Sequence, residues 1–447
     1  MKSQGLSELA DFTSTTSPPA CFIAAHACRG IKFRYDADKP LVHQQMRHVG
    51  AYQRGVATRL PATFLRIHRT RMSSVLLSRQ AIDASCAPLH PESDVQINAL
   101  TVEELFTLYE RTGFLYPAKA ERLLPHLTTV RDNWQRLLQA GDLLLCVITS
   151  GNEFDGRASA AVWRTTRDSW VWQHLVCERN PVHSRSVMLG GLKRCGQLGI
   201  GRSQQNWFRP ENRFPARVFG SMVPSVGEAL SSVQDYQYFF VPRTTPVSGA
   251  NGPSRRRSPR RFRVASYDSR QQQALTTLAA LSRGPLYVAS EELDRDVELS
   301  AIDALYRTVG LRRYRQVWIA YDNRDRAVGA ALAYRGPLGL NFSFLENRCD
   351  LLLNPALAAE DSVNVTSALL DSAMAAYEGF ELAHIPVVAD AASAPTLTAR
   401  GGQWLRNYSH GIWLKEGQMS LYRHVDRFYS RLLNRLDRRG TPPALTA

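Results

Sequence analysis

At 447 residues the chain is long enough for two or three domains. Its apolar fraction of 44% is ordinary for a globular protein, and no run approaches the ~18–20 apolar residues of a membrane-spanning helix. The formal charge of +15 is uneven: +7 in residues 1–90, +2 in 91–250, +6 in 251–270 and 0 in 271–447, so it says little about the surface of the two long neutral stretches.

Residues 1–90 read as an N-terminal tail, largely flexible, with a loop-type stretch Thr13-Ser14-Thr15-Thr16-Ser17-Pro18-Pro19. No basic region followed by an apolar core opens it, so no secretory leader is expected. Seven scattered cysteines make no disulfide framework, and a cytoplasmic setting is expected. Cys21, His26 and Cys28 lack a matching second pair, so no metal site is expected.

A first folded unit is expected over 91–242. Thr101 and Glu104 form a capping box, with Leu105, Leu108 and Tyr109 at helical spacing and Gly113 as stop. A second helix carries Leu127, Val130, Trp134, Leu137 and Leu138 on one face. Strand-like runs follow at 143–149, 158–163 and 170–175. Asn180-Pro181 starts a helix over 182–198, with Gly190-Gly191 arguing against its continuity, and 236–241 is a closing strand.

Residues 243–266 are a basic Pro/Gly/Arg linker containing Arg255-Arg256-Arg257-Ser258-Pro259-Arg260-Arg261-Phe262-Arg263. It reads as a solvated connector or as a weak nucleic-acid contact through phosphates. A second unit over 267–425 then repeats the element order: helices at about 270–282 and 291–309, strands at 316–321, 327–333 and 340–345, and a helix at about 362–377. Gly411 to Lys415 is expected to pair as a hairpin with Met419 to Tyr422. Residues 426–447 read as a C-terminal basic helix and tail. A repeat of about 170 residues is too long for a solenoid, whose units span ~20–50, and implies two similar α/β units with a cleft or interface between them.

Helix, helix, three or more strands, helix, strand, helix, strand resembles the GNAT acyltransferase layout. The chain looks like two tandem GNAT-like domains, each a mixed, mostly antiparallel sheet flanked by helices. Asn206 to Phe219 resembles the crossing from strand to helix that follows the cofactor helix, and Asn341 to Arg348 resembles a central strand running to the cleft. The resemblance implies an N-acyltransferase with acyl-coenzyme A as donor and a small-molecule amine as acceptor. The family's glycine-bearing phosphate signature is missing from both copies. The first offers Ser184, Arg185 and Ser186 for the cofactor, and the second offers Glu360 and Asp361, which would repel a phosphate.

Acyl transfer needs a base, an acid and donors to the developing oxyanion. His174 and Glu178 at one strand end, Glu346 in the second copy, and Tyr408 as acid are the catalytic candidates. Asn347, Arg348 and Asp350 are the substrate-binding candidates, Arg348 through a paired contact to a carboxylate. The alternative is a catalytically silent GNAT-like protein that binds a ligand or regulates.

Overall fold

The computed structural model describes residues 95–197, 201–243 and 261–440. The expected N-terminal tail, the Cys21 to Cys28 segment, most of the arginine linker and the last seven residues lie outside them.

The first half of the described chain begins with β1 (Gln96–Ile97), then α1 (Val102–Arg111), α2 (Pro117–Leu123) and α3 (Leu127–Gln139). The capping box of α1 forms as expected: Thr101 Oγ1 accepts from Glu104 N, and the Glu104 carboxylate accepts from Thr101 N at 2.9 Å. Then come β2 (Leu145–Asn152), β3 (Gly156–Arg164), β4 (Ser169–Cys177), α4 (Pro181–Gln197), β5 (Ser203–Phe208), α5 (Arg213–Val218), α6 (Val223–Val226) and β6 (Ser231–Pro242).

The second half runs β7 (Arg263–Ser266), α7 (Gln272–Ser290), α8 (Ser300–Arg307), β8 (Tyr314–Tyr321), β9 (Ala327–Arg335), β10 (Cys349–Leu353), α9 (Ala359–Ala373), β11 (His384–Ala389), α10 (Ala394–Ala399), β12 (Gln403–Leu414) and α11 (Gln418–Gly440).

All twelve strands join one mixed sheet, in the order β1-β2-β3-β4-β5-β12-β6-β11-β10-β9-β8-β7. The sheet does not break where the chain passes from one half to the other. Instead the last strand of each half is exchanged. β6 has β11 and β12 as its neighbours, both from the second half, while β12 lies between β5 and β6 of the first. Helices cover both faces, which explains why the strands read as continuous apolar runs. In β2, Leu145 and Val147 join the cluster packed by α1 and α3, and the alternating Cys146 and Ile148 join the one packed by α4 and α11.

Several expected elements are corrected. Residues 340–345 are not a strand. They belong to a loop whose start is tied to α3: Asn133 Nδ2 donates to Leu338 O at 3.0 Å and Trp134 Nε1 to Gly339 O at 3.0 Å. Gly339 has φ 73°, and a Cβ there would overlap Val130. Phe342 and Phe344 alternate like strand residues because they are buried, not because they pair. Met419 to Tyr422 is helical, not a hairpin arm. Leu421, Val425 and Tyr429 recur every four residues and are fully buried, so the helical period wins. The expected helix at 291–309 shrinks to Ser300–Arg307, while the one at 270–282 extends to Ser290. Helix α4 is unbroken despite its glycine pair. A Cβ on Gly190 would strike Val95, and one on Gly191 would strike Trp172 and Ile148, so both glycines serve close helix–sheet packing.

Candidate functional site

Strands β4 and β5 run parallel and pair only at their starts, from Ser169 with Ser203 to Trp172 with Asn206. Beyond that point they part. Just there β4 carries a bulge: between the pairs Ser159–Val176 and Ala161–Gln173 it holds one residue more than β3. His174 sits in this bulge with φ 57°, a left-handed conformation that a non-glycine residue adopts at a cost. Crevices at the carboxyl ends of parallel strands are where open α/β sheets bind ligands.

The gap is a real cavity. It measures 160 Å³, against roughly 10–15 Å³ for one water on the same measure, so it admits an organic group. Trp172, Trp207, Phe208, Phe214 and Phe342 supply apolar walls, and Tyr408 of β12 and the 341–345 loop close it from the second half. A recess of 10 Å³ adjoins it, adding Arg122, Tyr238 and Phe240.

His174 is 4% exposed and stacks on Phe342 at 4.4 Å between ring centroids. Burial first, and the Lys119 charge second, hold its imidazole well below the usual histidine range, so it is neutral at pH 7. Its Nδ1 is buried with no hydrogen-bond partner. Asn206 Oδ1, also lining the cavity, is equally unpaired, and Gly411 of β12 leaves it room, since a Cβ there would overlap it. Two buried polar atoms without partners, both in residues that line the cavity, are what a site for a polar ligand requires. Tyr408 Oη donates to Ser343 Oγ at 2.8 Å, and burial pushes its phenol above the ordinary value, so it keeps its proton.

Of the sequence candidates, His174 and Tyr408 therefore meet at one cavity. The others lie elsewhere. Glu178 pairs with Arg111 at 2.9 Å and accepts from Arg157 N at 2.8 Å. Glu346 is 2% exposed and pairs with Arg313. Arg348 binds Glu291 at 3.0 Å and Asp350 at 2.9 Å, and Asp350 also accepts from Tyr287 Oη at 2.7 Å. Asn347 Nδ2 donates to Gly336 O at 2.8 Å. Glu346, Arg348 and Asp350 are thus held in buried ion pairs, Asn347 Oδ1 is buried without a partner, and none of these four candidates lines the cavity.

The first turn of α4 is also occupied by the chain itself. Ser184 Oγ shares a 2.5 Å hydrogen bond with Tyr429 Oη of α11, and Arg185 pairs with Asp426 at 2.7 Å. Asn180 Oδ1 accepts from Val182 N, and His183 meets Asp155 at 2.8 Å. Ser186 is half-buried. Side chains so engaged, with the Asp155 carboxylate beside them, do not fit the diphosphate of a coenzyme A thioester.

Sequence reasoning missed Lys119, Arg209 and Arg406, which all line the cavity. They come from three separate elements, and no local spacing announces them. Among the described residues no group of His, Cys, Asp or Glu has a metal-holding geometry, and no helix is long and apolar enough to cross a membrane. Cys146, Cys177 and Cys349 are buried thiols.

In each half, two helical stretches, antiparallel strands, a long helix and a strand parallel to the last of the antiparallel set follow one another. This order of elements resembles the GNAT layout. Solved structures to which the chain is similar include a tandem GNAT protein from the clavulanic acid biosynthesis pathway, at 9% identity over 72% of this chain and 99% of that one, TM-score 0.36. A GCN5-related N-acetyltransferase from Sphaerobacter thermophilus is 11% identical over 61% of this chain and 81% of that one, TM-score 0.34. Another from Kribbella flavida is 12% identical over 72% of each chain, TM-score 0.30. No family model matches the chain, and no curated protein does.

Proposed function

We propose that the β4/β5 cavity is the active site of an N-acyltransferase that moves an acyl group from a thioester to an amine. In this reading residues 91–242 and 267–425 are two GNAT-like copies, and only the first keeps an open cleft. The observation that carries it is the parting of β4 from β5 over the bulge at His174. Neutral His174 has a lone pair free to accept the proton that the attacking amine sheds, although burial makes it a weak base. Tyr408, held protonated, is the donor for the departing thiolate. Asn206 is placed to orient the acceptor. Glu178, Glu346, Asn347, Arg348 and Asp350 lie outside the cavity and touch no reacting group in this reading. Because the first turn of α4 does not fit a diphosphate, no step depends on the nucleotide half of the donor.

The same closed turn favours a second reading, a silent cleft that binds a ligand without turnover. Thiol release separates the two. The full chain is offered acetyl-coenzyme A, or S-acetyl-N-acetylcysteamine, which has the thioester but no nucleotide, together with a panel of primary amines. Turnover with either donor, reduced ~10²–10⁴-fold in His174→Gln, supports the enzyme. Absence of thiol release above the His174→Gln background with both donors sinks it and leaves the silent cleft.

A further inference from the structure

Among the described residues the cavity and its recess are lined by four cations, Lys119, Arg122, Arg209 and Arg406, and by no carboxylate. Their visible partners are uncharged. Lys119 Nζ donates to Phe114 O at 3.0 Å and lies 3.7 Å from the Phe114 ring centroid. Arg406 donates to Tyr116 Oη at 3.1 Å. The guanidinium of Arg209 lies 5.9 Å from the Tyr116 centroid, and that of Arg122 lies 5.5 Å from the Phe240 centroid. Elsewhere the chain pairs its buried arginines with acids, as Arg313 with Glu346 and Arg348 with Asp350. Holding several like charges around one concavity without a counter-charge costs free energy unless a ligand supplies the opposite sign. The repulsion is felt. Burial, then Arg209 and Arg406, bring the Lys119 ammonium down to about 7.

We propose that Lys119, Arg122, Arg209 and Arg406 recognise an anionic group, a carboxylate or a phosphate, on the molecule that enters the cavity. The aromatic walls would hold the apolar body of that molecule while the cations hold its charged end. This rests on the reading of the cavity as the substrate site and names the acceptor class: an amine that also carries an anion.

The test is calorimetry on the full chain with no thioester present, using phenylacetate, phenyl phosphate and neutral phenylacetamide as probes. The expected result is that at least one anion binds roughly tenfold or more tightly than the amide. That preference falls roughly tenfold in Arg406→Gln and less in Arg122→Gln, whose exposed side chain can be replaced without disturbing the core. Preference for phenyl phosphate over phenylacetate, or the reverse, assigns the group. Equal binding of anion and amide, or an anion preference unchanged in Arg406→Gln, Arg209→Gln and Arg122→Gln alike, overturns the proposal. Anion preference without thiol release in the donor assay sinks only the acyltransferase reading. Turnover without anion preference sinks only this one.

Discussion

The sheet has two places where a parallel strand pair comes apart, and the protein treats them in opposite ways. Between β4 and β5 the gap is left open under the bulge at His174. Between β10 and β11, which pair only at Cys349–Val387 and Asp350–Val388, the gap is plugged. Arg283 fills it. One of its nitrogens donates to Leu351 O and to Val388 O, each at 3.2 Å, so a single guanidinium bridges the parting strands. Tyr236, with its ring centroid 4.2 Å away, and Asp350, 3.5 Å away, complete its surroundings. Helix α7 aims it there through a kink at Gly284, whose φ of 81° suits glycine, followed by Pro285, which restarts the helix. A fold that opens a cleft by separating strands can thus cancel it with one buried side chain.

The strongest way to break this contrast is Arg283→Ala. It empties the plug and strips Asp350 of one counter-charge, so a loss of about 3–5 kcal/mol is expected by urea unfolding. A loss under ~1 kcal/mol would mean that the second gap is held shut by something else. Gly191→Ala is the converse change, pressing Trp172 toward the open gap. It should cost ~1–3 kcal/mol from overpacking and weaken anion binding together with stability. Unchanged binding in a destabilised variant would detach the cavity from the Trp172 wall.

Lys119 sharpens the comparison by pH. Its folded pKa of about 7 lies below the unfolded lysine value of ~10.4, so the unfolded state binds more protons between the two. Stability should therefore climb as pH rises from 7 toward 10, and this slope should flatten in Lys119→Met. Competitive labelling with acetic anhydride should return an apparent pKa near 7 for Lys119, and an ordinary lysine value would remove the argument from repulsion. The smallest effect is expected from Arg185→Ala. Its ion pair is about one-third exposed on both sides, so ~0–1 kcal/mol is expected, with no change in KM for a thioester donor. A raised KM would restore the first turn of α4 as a donor site.

Local signals were legible in the sequence wherever one element decides its own structure. The Thr101 capping box, the Asn180-Pro181 start and the apolar runs of β2, β3, β8 and β9 all lead to elements within a few residues of the expected bounds. Pairing was not legible. Nothing in Gly411 to Lys415 says that its neighbours are β5 and β6, because strand exchange is a long-range choice with no local cost. The loop at 340–345 misleads for a related reason: burial under α3 gives it the alternation of a strand. At the site, His174 and Tyr408 were readable as chemistry-bearing residues near strand ends. The charged cluster at 346–350 looked equally reactive, but its partners are distant in sequence: Glu291 and Arg313 pair with its charges, and Tyr287 donates a hydrogen bond to Asp350.

The crossed placement of β6 and β12 also bears on how the chain is made. When β6 leaves the ribosome, neither of its strand neighbours has been synthesised. Strand β5 likewise lacks the partner that will cover one of its edges. At ~5–20 residues per second, these edges stay open for on the order of ten seconds while the second half is translated. An unpaired edge is a template for association with other chains. The newborn first half is therefore a natural client for a chaperone. A stop codon after β6 should yield aggregates, and supplying the second half as a separate polypeptide during synthesis should rescue solubility.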